Sequence, residues 1–207
     1  FYWTINLGAF LFPLVIVPWL KSMDWSYVML ASAICTGSML LPTIFLYKEP
    51  KREVQAKESF SKVAKDILGK IAVVFMDWRF ILFILIYSMF WILYFQMFDS
   101  VLWYVQAFVD ATPLNNFINS TFGTNWTFQI EHVTVINAGA IILLQIVISA
   151  IVRRTKALPT MLAGISIATL GMAILSINTS IWVFMAGIFI FSIGEMTAHP
   201  KFISYLG

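Results

Sequence analysis

The chain has 207 residues, of which 60% are hydrophobic and 11% charged, with a mean hydropathy of +0.87 and a formal net charge of +3. A soluble domain carries about 25% charged residues, so this chain has too little polar surface to cover a water-soluble globule, and bilayer is the solvent its composition fits. The pI near 9.0 does not point to nucleic acid, because the basic residues lie in connections between apolar runs rather than on a soluble face.

A spanning helix needs about 20 mostly apolar residues to cross ~30 Å of hydrocarbon, and six stretches qualify. The first, about 1–20, opens with "FYWTINLGAF" and shows no cleavable-signal pattern; it holds Asn6, Gly8, Pro13 and Pro18. The second, about 25–47, carries the small residues Ala31, Ser32, Ala33, Gly37 and Ser38, which predict close helix packing. Its Cys35, the only cysteine, is expected to be a small buried hydrophobe. The connection at 48–78 places Phe60, Val63, Ala64, Ile67, Ile71 and Val74 at helical spacing among Lys57, Lys62, Lys65 and Lys70. That pattern fits an amphipathic helix on the membrane surface; a solvated charged linker is the alternative.

The third span, about 79–100, ends with Gln96 and Asp99, and with Trp103 these are spaced to share one helix face. Asp99 also fits simple placement at the membrane interface. A polar loop follows at about 108–131, with N-x-T sequons at Asn119 and Asn125. They read either as chance matches in an Asn/Thr-rich loop or as glycosylation acceptors. The fourth span, about 132–152, carries Asn137 and Gln145; the fifth, about 157–177, carries Gly164, Ala168 and Gly171; the sixth, about 180–200, carries Gly187, Gly194 and Glu195. Trp19, Trp25, Trp103 and Trp182 lie near span ends, as an aromatic belt requires.

Direction follows from Lys and Arg. Eight of them fall between Lys48 and Arg79, three lie in "RRTKALP", Lys201 follows the sixth span, and none occurs from Phe80 to Val152. The positive-inside rule places 48–78, 153–156 and 201 in the cytoplasm, with six alternating crossings of a cell (inner) membrane.

No phosphate-binding loop, zinc-protease motif, cysteine pair or histidine cluster is present; His132 and His199 lie in different spans, each near a span end. An integral membrane enzyme therefore lacks an acid, base or metal constellation, and no cofactor is expected. The polar groups inside spans are the sharper signal: Asn6, Gln96, Asp99, Asn137, Gln145 and Glu195. A carboxylate in hydrocarbon costs a few kcal/mol or more and usually faces a bundle interior or a wet cavity. From a helix start near Thr179, ~1.5 Å per residue puts Glu195 about 24 Å along, past the midplane. There it can carry a proton, meet a cationic group on a substrate, or pair structurally with a neighbouring span.

These residues resemble a family. "FYWTINLGAF" is similar to the signature of the proton-dependent oligopeptide transporters, a branch of the major facilitator superfamily, at Phe1, Tyr2, Ile5, Asn6, Gly8, Ala9 and Phe10. "FWILYFQMFDS" resembles that family's seventh-span motif at Phe90, Trp91 and Gln96, with Phe95 where the family carries Glu. "GEMTAHPKFISYLG" resembles the tenth-span motif at Gly194, Glu195 and Pro200, with His199 where the family carries Ser. "VRRTKALP" resembles a decayed copy of the superfamily's basic loop.

The resemblance covers the whole chain and implies spans five to ten of twelve. It implies an all-α, polytopic membrane helical bundle of major facilitator type, with 1–47 closing the amino-terminal bundle, 48–78 linking, and 79–207 opening the carboxy-terminal bundle. It implies proton-coupled symport of small peptides by alternating access, driven by a proton gradient, with bilayer, protons and peptide as partners. Glu195 would contact substrate or proton, Tyr2, Asn6, Gln96 and Asp99 would contribute to the cavity, and Arg153 and Arg154 would brace the inner gate. The alternatives are a facilitator for another organic solute, a membrane enzyme, and a channel or scaffold. Read as an internal segment, the chain would also leave Asn6 and Glu195 exposed with few partners.

Overall fold

The computed structural model describes residues 2–49 and 59–206, and the side chains of all of these except 2, 60 and 203–206. The described chain is helical; an isolated bridge between Asp110 and Ser180 is the only extended pairing among the described residues. Six segments are long and apolar enough to cross a membrane: Trp3–Met23, Trp25–Phe45, Trp78–Phe108, His132–Val152, Ala157–Ile174 and Ile181–Phe202. This is the architecture of an integral, multi-pass membrane protein, and it follows from runs that can satisfy every backbone group only as helices.

Prolines and turns mark where these segments bend. The first segment is α1 (Tyr2–Leu11), a π turn (Phe12–Ile16) and α2 (Val17–Met23). Pro13 has no N–H to donate, and the ladder widens by one residue there. The second is α3 (Trp25–Ser38), started by Asp24, whose carboxylate accepts from Ser26 N at 2.7 Å, and α4 (Leu40–Phe45). The break at Met39 lies three residues before Pro42. After α5 (Phe60–Met76), the third segment is α6 (Trp78–Gln96) and α7 (Ser100–Phe108), separated by a turn at Met97–Asp99. The loop between the third and fourth segments contains α8 (Thr112–Phe122), stopped by Gly123 in the left-handed conformation (φ 63°). The last three are α9 (His132–Val152), α10 (Ala157–Ile174) and α11 (Ile181–Leu206).

By contacts the chain forms two compact units, Phe1–Met23 with Leu93–Gly207, and Asp24–Ile92. In the larger unit the first span finds its partners on α9. Trp3 Nε1 donates to the Ile142 carbonyl at 3.1 Å, and Phe10 lies where a Cβ on Gly139 would come within 3.1 Å. Further along, Lys21 meets Glu131 at 2.8 Å. Residue numbers rise on one helix as they fall on the other, so the first and fourth segments run antiparallel.

The α10–α11 pair is also antiparallel. A Cβ on Gly164 would meet Ala198 N at 2.6 Å, and one on Gly187 would meet Leu175 Cδ2 at 2.6 Å. Backbones this close bring dispersion contacts that lipid cannot supply more cheaply. α9 and α11 run parallel: Asn137 pairs near Ser192, and the Thr155 carbonyl takes Lys201 Nζ at 2.8 Å. These relative directions agree with the alternation expected from charge.

In the smaller unit, only Val28 of α3 is buried. The close packing expected along Ala31–Ser38 does not occur among the described residues: nothing lies within 4 Å of a Cβ on Gly37, and Cys35 is exposed rather than buried. A small side chain permits close approach but does not create a partner.

Candidate polar site

One buried polar cluster joins two spans. Asn137, from α9, donates through Nδ2 to Ser192 Oγ at 2.8 Å and to Glu195 Oε2 at 3.0 Å, both on α11. Ser192 Oγ in turn donates a hydrogen bond to the Ile188 carbonyl at 2.8 Å. Asn137 and Glu195 are each 4% exposed and Ser192 is 0% exposed. Ser192 and Glu195 are three residues apart, so one helix face presents both. Glu195 lies 14 residues beyond the start of α11, about 21 Å along the axis, well inside the apolar segment.

Beside this cluster lies a cavity of about 110 Å³, lined by Asn6 and Ala9 of α1, Tyr94 and Phe98, Thr134 and Asn137 of α9, and Glu195. Tyr94 stacks on Phe191 with ring centroids 6.2 Å apart, which closes the wall toward α11. The volume holds a few waters and is below the ~300 Å³ of ordinary small-molecule sites. Its chemistry is that of a carboxyl group, two amides and a phenol in an otherwise apolar shell, able to hold or pass a proton.

The expected site residues separate into those brought together and those not. Asn6 and Glu195 line the same cavity. Both are buried, Asn6 at 7% exposure, so the expectation that they would stand exposed is corrected: α1, α9 and α11 enclose them. Gly8 has nothing within 4 Å of its Cβ position. The backbone of Tyr2 belongs to α1, and its side chain lies outside the described residues, as does Phe1.

Gln96 ends α6, half-buried, and accepts from the Ser100 hydroxyl. Asp99 is exposed in the turn, where its carbonyl receives Leu102 N at 3.0 Å and Trp103 N at 3.2 Å. That turn interrupts the helix, so Gln96, Asp99 and Trp103 do not lie along one continuous α-helical face. Arg153 and Arg154 are exposed just past α9. The buried cation at that end is Lys201, whose Nζ reaches the Thr155 carbonyl at 2.8 Å and the Arg153 carbonyl at 3.5 Å. It holds carbonyls of the turn that follows α9, where a cation is favoured.

Asn137 was visible as a polar residue in a greasy run; Ser192 could have been found from its spacing to Glu195. Tyr94 gave no signal, being one aromatic among many.

A second chamber, about 340 Å³, opens beside Lys21, Gln106, Gln129 and Glu131. Lys21 Nζ donates to Glu131 Oε1 at 2.8 Å and to Gln129 Oε1 at 3.5 Å, while Glu131 Oε2 is buried without a hydrogen-bond partner. Burial works to raise the Glu131 carboxyl, but the Lys21 hydrogen bond and charge outweigh it and hold the group below the usual carboxylate value. His132, at the start of α9, is buried; its Nδ1 accepts from Gln129 N at 2.9 Å and its ring stacks on Trp126 at 4.9 Å. No group of three or more potential metal ligands occurs among the described residues.

In comparisons with known proteins, no family model, no curated protein and no solved structure matches this chain.

Proposed function

We propose that the protein is a secondary active transporter of major facilitator type, moving small peptides together with protons by alternating access, as its resemblance to the proton-dependent oligopeptide transporters implies. The observation that carries the reading is Glu195: a carboxyl group buried midway along an apolar helix, held by Asn137 of another span, and facing a small cavity shared with Asn6 of a third. A charge there is expensive to keep unless it serves a pathway. The cavity suits a proton and a few waters, so a peptide enters only when the helices around it part. Lys201, buried against the end of α9, is the cation that braces the inner side, with Arg153 and Arg154 exposed beside it.

The second reading is a facilitator for another organic solute, favoured by Phe95 standing where the resembled family carries an acid. Uptake into proteoliposomes under an imposed proton gradient tests both. Glu195→Gln keeps size and hydrogen bonding but removes titration, and should abolish proton-driven accumulation of dipeptides while leaving insertion intact. Glu195→Asp should retain partial activity, and Asp99→Asn should have a milder effect. If Glu195→Gln accumulates peptide against a gradient as well as the parent, Glu195 is structural. If the parent carries a non-peptide solute in preference, the second reading holds.

A further inference from the structure

The helix α5 presents an apolar face that the described residues of its own unit leave uncovered. At 100° per residue, Val63, Ile67, Leu68, Ile71, Val74 and Phe75 fall within one arc of about 140°. These six are 38–71% exposed. Lys62, Lys65 and Asp66 fall outside that arc, and Lys70 lies at its edge. With three lysines and one aspartate, α5 carries a net charge of +2. The Asp66–Lys70 pair, at 2.7 Å, is exposed on both sides and contributes little to stability.

Position adds a second argument. Asp77 alone separates α5 from α6, where the third membrane segment begins. It breaks the helix with non-helical angles (φ −83°, ψ 88°) and then caps α6, its carboxylate accepting from Arg79 N at 3.1 Å and Phe80 N at 3.2 Å. Consecutive Cα atoms are only about 3.8 Å apart, so the end of α5 is tethered at the membrane boundary. Trp78 and Arg79 mark that boundary, the guanidinium lying 6.0 Å over the indole, as interfacial anchors do.

We propose that α5 is a lipid-binding helix: it lies on the bilayer surface beside α6, with its apolar arc among the upper acyl chains and Lys62, Lys65 and Lys70 on anionic phosphate headgroups. The partner is the membrane itself, because the arc faces apolar, its flanks are cationic, and its end cannot leave the interface. This inference rests on the membrane architecture and is independent of what the protein transports.

The test is a nitroxide scan of the full chain, with Cys35→Ser and one spin label at each position from 61 to 76. The protein is placed in vesicles of phosphatidylcholine alone or of phosphatidylcholine with phosphatidylglycerol. Collision rates with oxygen, which prefers lipid, and with a water-soluble nickel chelate report depth. The expected result is a helical oscillation with labels at 63, 67, 71 and 74 oxygen-rich, labels at 62, 65 and 69 nickel-rich, and a several-fold larger contrast in phosphatidylglycerol. Lys62→Glu with Lys65→Glu should remove the dependence on phosphatidylglycerol. Nickel access at every position would overturn the proposal in favour of a solvated linker. Shielding of the apolar arc from both reagents would overturn it in favour of a protein partner, and an oscillation indifferent to phosphatidylglycerol would remove the anionic headgroups from it.

Discussion

Lys21 and Glu131 join the first and fourth segments by a pair whose strength depends on one ionised carboxyl group. The Glu131 pKa is lower folded than its ordinary value of 4.5. Its contribution to stability is therefore fully present above 4.5 and is lost as pH falls through the lower, folded value. The expected outcome is an acid limb in the thermal-unfolding profile of the detergent-solubilised protein that Glu131→Gln flattens. The group is partly open to solvent, so the loss should not exceed about 1 kcal/mol. An unchanged acid limb would mean that other carboxylates set it. Asn119 makes a sharper case. Its Nδ2 donates to the Trp126 carbonyl at 3.0 Å, while its Oδ1 accepts from Trp126 N at 2.7 Å and Thr124 Oγ1 at 3.1 Å. Asn119→Ala should cost about 1–2 kcal/mol in the same unfolding measurement, whereas Asn125→Ala, at an exposed position, should be silent. Two sequons identical in pattern thus differ in what they hold together, a distinction no spacing rule carries.

At the scale of elements, the seam between α10 and α11 and the open face of α3 give opposite expectations for the same substitution. Gly164→Ala puts a methyl group 2.6 Å from Ala198 N and 2.8 Å from the Gly194 carbonyl, so it must push two backbones apart, at about 1–3 kcal/mol. Gly37→Ala meets nothing and should be neutral or stabilising by up to about 1 kcal/mol through helix propensity. Resistance to heating and proteolysis in detergent measures both, and equal sensitivity would mean that the seam is not where the pair is held. The six segments were legible because crossing hydrocarbon demands long apolar runs. Which face of each run is buried was not, since lipid and protein interior are equally apolar and hydropathy cannot separate them. The break at Met97–Asp99 was hidden for another reason: no proline or glycine occurs from Trp91 to Gln106 to announce it. Glu195 and Asn6 stood out as polar groups in apolar runs, but that Asn137 would meet Glu195 depended on the parallel course of α9 and α11, a tertiary fact.

For the whole molecule, antiparallel first and fourth segments, antiparallel fifth and sixth, and parallel fourth and sixth are the directions that an even–odd alternation of crossings would give. That makes sidedness testable with two labels. In a Cys35→Ser background, cysteines at Lys65 and at exposed Asn125 should react with a membrane-impermeant maleimide from opposite sides of sealed vesicles, with Lys65 on the cytoplasmic side. Labelling from the same side would break the alternation, and with it the proposed transport cycle.

The cluster of Asn6, Asn137 and Glu195 also has a history during synthesis. Asn6 leaves the ribosome 131 residues before Asn137 and 189 before Glu195. At about 5–20 residues per second, that is roughly 10–40 s before the site is complete. Throughout that interval α1 carries an amide whose eventual surroundings have not yet been made. The nascent chain must wait with its first span sheltered by the insertion machinery or tilted toward water. Substitutions on α9 that weaken its grip on Trp3 or Phe10 will therefore lower the yield of inserted protein before they alter anything the finished protein does.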